Sequence, residues 1–88
     1  MSIIKKKIDR EYFELIKSGK KQFELRVADF ELKEGDTLIL EEKDSKTGKL
    51  TGRRIKKKVK DFFYKSLKKL GPIENLKKHG LYVILLED

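Results

Sequence analysis

Gly19-Lys20-Lys21-Gln22-Phe23-Glu24-Leu25-Arg26 lies where a helical pattern gives way to a strand pattern in this chain of 88 residues. Alternation from Gln22 onward puts Phe23, Leu25 and Val27 on one side and Gln22, Glu24 and Arg26 on the other. The apolar set is expected to face the core. The polar set then places one acid between two bases. Lys21, in the turn at the mouth of the strand, reaches toward Glu24, and Arg26 follows two residues later on the same face. As surface decoration, each such pair would contribute only about 0–1 kcal/mol.

Working outward toward the N-terminus, Ile3-Ile4-Lys5-Lys6-Lys7-Ile8 reads as a first strand, and Asp9 as the N-cap of a helix with Ile8 and Phe13 placed as a hydrophobic staple. Tyr12, Phe13, Leu15 and Ile16 share one stripe of that helix, with Tyr12 expected in the core, and Gly19 supplies a left-handed C-cap. Toward the C-terminus, residues 28–33 lack a clean period and read as a loop crossing the surface. Glu34-Gly35-Asp36 is a tight turn before a buried strand, Thr37-Leu38-Ile39-Leu40-Glu41-Glu42, and Asp44-Ser45-Lys46-Thr47-Gly48-Lys49 is a hairpin tip. The return strand runs from Gly52 to about Phe62. Six of the eight residues at 53–60 are basic, and alternation puts Arg54, Lys56, Lys58 and Lys60 in one outward row, leaving Lys57 to snorkel or sit at a bulge. Leu67 and Leu70, then Pro72 with Ile73 and Leu76, predict two short helices, with His79-Gly80 as a cap. Leu81-Tyr82-Val83-Ile84-Leu85-Leu86, apolar on both faces, predicts a central last strand.

The first of these segments fits G-x-K-x-x-E-x-R and so resembles the ASCH domain, a small relative of the PUA RNA-binding domains. Glu11-Tyr12-Phe13 ahead of Ser18-Gly19-Lys20-Lys21, Glu34-Gly35-Asp36-Thr37-Leu38-Ile39-Leu40, the long hairpin and the closing Tyr82-Val83-Ile84 are similar as well, so the likeness covers nearly the whole chain. It implies one domain over residues 1–88: a mixed α+β, PUA-like β-barrel of about five strands, with an N-terminal helix and short helices before the last strand. It also implies that Gly19, Lys21, Glu24 and Arg26 line a ligand cleft. In such a cleft Lys21 or Arg26 would hold a phosphate or carbonyl oxygen, and Glu24 would accept from a base amino group. Some small members of that family are amidohydrolases of acetylated cytidine that use a lysine, a threonine and a glutamate. Lys21 matches the lysine, but Glu24 stands at the threonine position; a hydrolase would therefore rest on Lys21 and Glu24, with Glu24 as general base for water. The family's second glutamate has no residue-by-residue match, Glu74 being near it only by rough location.

Charged residues form 43% of the chain, dominated by lysine as in proteins from hot environments, and the net charge is +8. So much charge on a small body favours encounter with polyanions, nucleic acid above all. The basic stretch supplies Arg53, Arg54, Lys56, Lys58 and Lys60 as candidate phosphate contacts, and Phe62, Phe63 and Tyr64 beside it are either core or a stacking platform. Without cysteine and with one histidine, no disulfide, thiolate nucleophile or Cys/His metal site is available, so neither metal nor cofactor is expected. No apolar run reaches the roughly 20 residues of a membrane span. The expectation is a cytoplasmic monomer that binds RNA, single-stranded nucleic acid or a nucleotide, with the hydrolase of an acylated nucleoside as the alternative.

Overall fold

The computed structural model describes residues 2–65 and 79–88. Its elements are β1 (Ile3–Asp9), α1 (Arg10–Lys17), β2 (Phe23–Val27), β3 (Thr37–Lys43), β4 (Leu50–Lys65) and β5 (Leu81–Glu87). The short helices expected between Tyr64 and His79, and Glu74 with them, lie outside the described residues.

The strands form one mixed sheet in the order β1-β3-β4-β5-β2. β1 runs parallel to β3, and every other pair is antiparallel. The last strand is flanked on both sides, by β4 and β2, and so is central in the sheet as expected. The strands at the two ends of this order nonetheless meet, because Arg26 on β2 donates through Nη2 to the backbone carbonyl of Lys7 on β1. The sheet therefore curls into a half-barrel with an open seam between β1 and β2.

Inside the curl, Leu38 and Leu40 of β3, Val59 of β4, and Ile84 and Leu86 of β5 meet Ile8, Leu32, and Phe13 and Ile16 of α1. At about 25 cal/mol per Å² of buried apolar area, this cluster supplies the main favourable term. Residues 28–33 do more than cross the surface: Leu32 is buried in the core and Phe30 packs against it, with its ring edge-on to Tyr82 at 5.3 Å. Tyr82 in turn donates its hydroxyl to the Phe30 carbonyl at 2.8 Å. Asp36 ties down the start of the sheet, accepting from the backbone N–H groups of Ser2 and Lys33 at 2.9 Å each. The Ser2 bond is the largest cause holding its carboxyl below the ordinary range, against the opposing effect of burial.

Several local expectations change. Asp9 has the extended backbone of an N-cap but makes no side-chain cap bond; its carboxylate pairs with Lys43 at 3.6 Å. Tyr12 is exposed, so the buried stripe of α1 is Phe13 and Ile16. β4 extends past Phe62 to Lys65, and its bulge lies between Val59 and Asp61 in the pairing with β5, at Lys60 rather than Lys57. Lys57 snorkels, its ammonium pairing with Asp88. The largest change is on β2. Phe23 and Leu25 are 41% and 49% exposed while Glu24 is 4% exposed, so the apolar set faces outward and the acid inward.

A charged cleft at the seam of the sheet

Local geometry delivers the motif to the seam. α1 stops where Gly19 takes φ 82°, the left-handed conformation that favours glycine, and the N–H of Lys21 reaches back to the Leu15 carbonyl at 3.0 Å. The chain is then turned into β2. Paired residues on neighbouring strands share a face, and Glu24 stands opposite Ile84, one of the most deeply buried core residues. That pairing drives Glu24 inward.

A buried carboxylate without partners would be costly. Glu24 has two cations. Its Oε1 takes the Lys21 ammonium at 3.4 Å, and its Oε2 takes Nε and Nη2 of Arg26 at 3.0 and 2.9 Å. Lys21 also lies over the ring of Tyr12 at 4.7 Å and near that of Phe23 at 5.4 Å, cation–π contacts that help hold it in place. The sequence reading of one acid between two bases is thus realised, with the acid as the buried member.

These groups form one wall of a cleft of about 360 Å³, lined from β1 by Lys7, Ile8 and Asp9, from α1 by Tyr12, from the turn after it by Lys21, and from β2 by Glu24, Leu25 and Arg26, with Lys43 also contributing. Of the four motif residues expected to line it, Gly19 does not; Gly19 borders a second hollow of about 300 Å³ together with Lys21, Gln22, Lys57 and Lys60. Lys21 separates the two. Backbone groups also face the seam. Ala28 donates to Gly80 and Leu86 donates to the Gln22 carbonyl, which assigns the even-numbered residues of β2 to β5 and leaves the N–H and C=O of Leu25 pointing to the cleft.

Chemically, the cleft is rich in donors. Lys21 uses one of three ammonium hydrogens on Glu24, and Nη1 of Arg26 is not engaged by Glu24 or Lys7. Among the described residues that line it, Tyr12 brings the one hydroxyl. The described residues contain no group of three His, Cys, Asp or Glu side chains placed to hold a metal ion. No helix among them is long and apolar enough to cross a membrane.

The basic stretch divides by parity. Arg53, off the outward row by alternation but expected to contact phosphate, is engaged within the fold instead: it donates to Glu42 at 2.9 Å, pairs with Glu14 and stacks on Phe13. Glu42, 1% exposed, also accepts from the Thr51 hydroxyl at 2.6 Å. That bond, with Arg53 and Arg10 behind it, holds the Glu42 carboxyl below the ordinary range against burial. This clamp joins α1 to the β3–β4 hairpin. The sequence reading missed it, and the available signal was an acid at an inward position of a buried strand. Lys60, displaced by the bulge, borders the second hollow.

Arg54, Lys56 and Lys58 remain on the outer face, and the register adds residues from β1: Lys7, Glu41 and Arg54 form one cross-strand row, Lys5, Ile39 and Lys56 the next, and Ile3, Thr37 and Lys58 a third. Lys5 and Lys7 were not among the predicted contacts, since only strand pairing brings them here. Of the aromatics beside the basic stretch, Phe62 packs on the core, whereas Phe63 and Tyr64 are 58% and 56% exposed.

The hypothetical protein PH0355, known from its crystal structure, is similar to this chain over 99% of this chain and 98% of its own, with 27% identity and a TM-score of 0.68. No curated protein matches. The family model described as "Domain of unknown function (DUF3850)" matches residues 3–69, from β1 through β4 and so across both cleft walls, and the chain belongs to the DUF3850 family.

Proposed function

We propose that this protein is an RNA- or nucleotide-binding domain of the ASCH type within the PUA-like group, holding one nucleotide in the seam cleft and neighbouring phosphates on the outer face of β1, β3 and β4. One observation carries this reading: the cleft opens onto the basic face. Lys7 lines the cleft and also begins the row that continues to Glu41 and Arg54, and Lys43 contributes to the lining. Glu41 is the one acid in those three rows. A strand leaving the cleft therefore meets a surface suited to its backbone, while Lys21, Arg26 and the Leu25 backbone supply donors and an acceptor to a base edge or phosphate.

The hydrolase of an acylated nucleoside has less support. It would require Glu24 to activate water, but Glu24 is engaged by Lys21 and Arg26, and among the described residues no serine or threonine lines the cleft.

Fluorescence anisotropy with a short single-stranded RNA, titrated across salt, tests the proposal. The slope of log affinity on log salt is expected to be about −0.7 per phosphate contact, hence several units in total. Replacing Lys5, Lys56 and Lys58 together by Gln is expected to reduce that slope by about 2. Absent or salt-insensitive binding would overturn the reading. Release of acetate from acetylated cytidine, lost in Lys21→Ala, would establish the hydrolase instead.

A further inference from the structure

The half of the outer face away from the basic rows is apolar. Here the register stacks three rows across β4, β5 and β2: Asp61, Leu85 and Phe23; then Phe63, Val83 and Leu25; then Lys65, Leu81 and Val27. Seven of these nine side chains are apolar, and Phe63, Leu25 and Phe23 are 58%, 49% and 41% exposed. The two charged ones, Asp61 and Lys65, stand at opposite ends of the β4 column.

We propose that this face is the interface of a symmetric dimer formed with a second copy of the chain. A two-fold axis along the middle row, Phe63 to Leu25, lays the two sheets face to face with their β4 strands antiparallel, the aligned packing of a sandwich. The operation exchanges the outer rows. Asp61 then faces the partner's Lys65, Lys65 faces the partner's Asp61, and Phe63 meets its own copy. Rotating about an axis along the strands instead would set Asp61 against the partner's Phe23 and leave both charges unmatched, so the charge pattern selects the first arrangement. It also selects the face. The basic rows carry Lys5, Lys7, Arg54, Lys56 and Lys58 against Glu41 and repel a second copy, whereas charges on the apolar half sum to zero.

The patch is three strands wide and five residues long, about 14 by 17 Å at ordinary strand spacings. That is smaller than the roughly 800 Å² per partner of a standard interface, so association is weak and concentration-dependent. Both basic faces stay free in the dimer, which gives it two-site binding to one nucleic-acid strand.

Analytical ultracentrifugation of the full chain from about 10 µM to 1 mM, a range that brackets a weak interface, tests this. The weight-average mass is expected to rise from the 10.4 kDa of one chain toward twice that value. Phe63→Lys is expected to hold the protein at the mass of one chain while its circular dichroism and thermal unfolding stay cooperative. Asp61→Lys opposes two lysines at two symmetric places and is expected to weaken association at least about fivefold; adding Lys65→Asp restores it. A constant mass of one chain at 1 mM would overturn the proposal and leave the face to be covered by residues of its own chain. Association unchanged by Phe63→Lys, or not restored by the charge swap, would place the interface elsewhere.

Discussion

Glu24 and Glu42 are both inward-facing carboxylates of a half-barrel, each nearly inaccessible and each answered by cations, yet they sit in opposite settings. Glu42 accepts from Thr51 and Arg53 within a clamp that joins α1 to the hairpin. Glu24 accepts from Lys21 and Arg26 in the wall of a cleft, and both cations retain donors for something else. The ion-pair chemistry is shared. What separates a structural clamp from a candidate binding site is whether the partners' remaining hydrogen-bonding capacity is spent inside the fold or presented to open space.

The sharpest way to break the comparison is Glu42→Ala. It leaves Arg53 on an apolar wall without its inner partner, and the melting temperature is expected to fall by on the order of 10 °C or more, read by thermal circular dichroism. RNA affinity at a temperature where the variant is folded should stay within about twofold, because no phosphate-contacting group moves. Equal losses of RNA affinity in Glu42→Ala and in the cleft variants would remove the distinction.

Glu24→Gln tests the other member. Lys21 and Arg26 are 16% and 24% exposed at their side chains and regain some water when the charge is removed, so the cost is smaller, roughly 1–3 kcal/mol. Its binding effect should dominate: freed from Glu24, Lys21 and Arg26 lose their fixed positions, and RNA affinity is expected to fall about tenfold in the anisotropy assay. A variant of unchanged affinity would make Glu24 a second clamp.

Lys21→Ala sharpens the contrast further. It is expected to lower RNA affinity by about 5–10-fold while shifting the melting temperature by only a few degrees, since Arg26 still answers Glu24. Chemical-shift changes on nucleotide addition should then vanish around Tyr12 and Leu25 and persist around Lys5 and Lys56.

The smallest expected effect concerns pH. Asp36 and Glu42 both have folded-state pKa values below their ordinary 3.8 and 4.5. Such groups stabilise the fold fully above the ordinary values and lose that contribution as pH falls through the lowered ones. Denaturant midpoints should therefore be level, as far as these two groups govern them, above about pH 5 and decline below about pH 4. In Asp36→Asn the decline should become shallower, with a lower plateau; an unaltered acid slope would assign the acid sensitivity to other carboxylates.

Much of the fold was legible because its signals are local. Gly19 ends α1 where a left-handed residue is needed, Asp44 closes the hairpin tip by accepting from the N–H groups of Lys46 and Thr47, and an all-apolar 81–86 stretch finds neighbours on both sides. Gly80 shows how far such reading goes. A Cβ there would lie 2.7 Å from the Lys65 carbonyl and 2.8 Å from the Tyr64 ring, a packing demand that depends on residues far along the chain. The reversed faces of β2 had the same cause. Period-two alternation divides a strand into two sets of side chains but does not say which set points inward, and the usual preference for apolar burial gave the wrong choice.

By itself, then, the sequence determined the number and boundaries of most strands, the helix and its end, the grouping of Lys21, Glu24 and Arg26, and the strong positive charge, all consequences of backbone preference and spacing within a few residues. Tertiary structure alone decided that Glu24 is inside and Phe23 outside, that Arg53 is spent on Glu42 and Glu14 rather than left for phosphate, that Lys5 and Lys7 join Lys56 and Arg54, and that an apolar half-face stands beside a basic one. Each of these depends on which strand lies next to which. Pairing order is fixed by contacts between distant residues, whose entropy of closure and burial are settled together, and only when the sheet curls do the opposite ends of its order meet at the cleft.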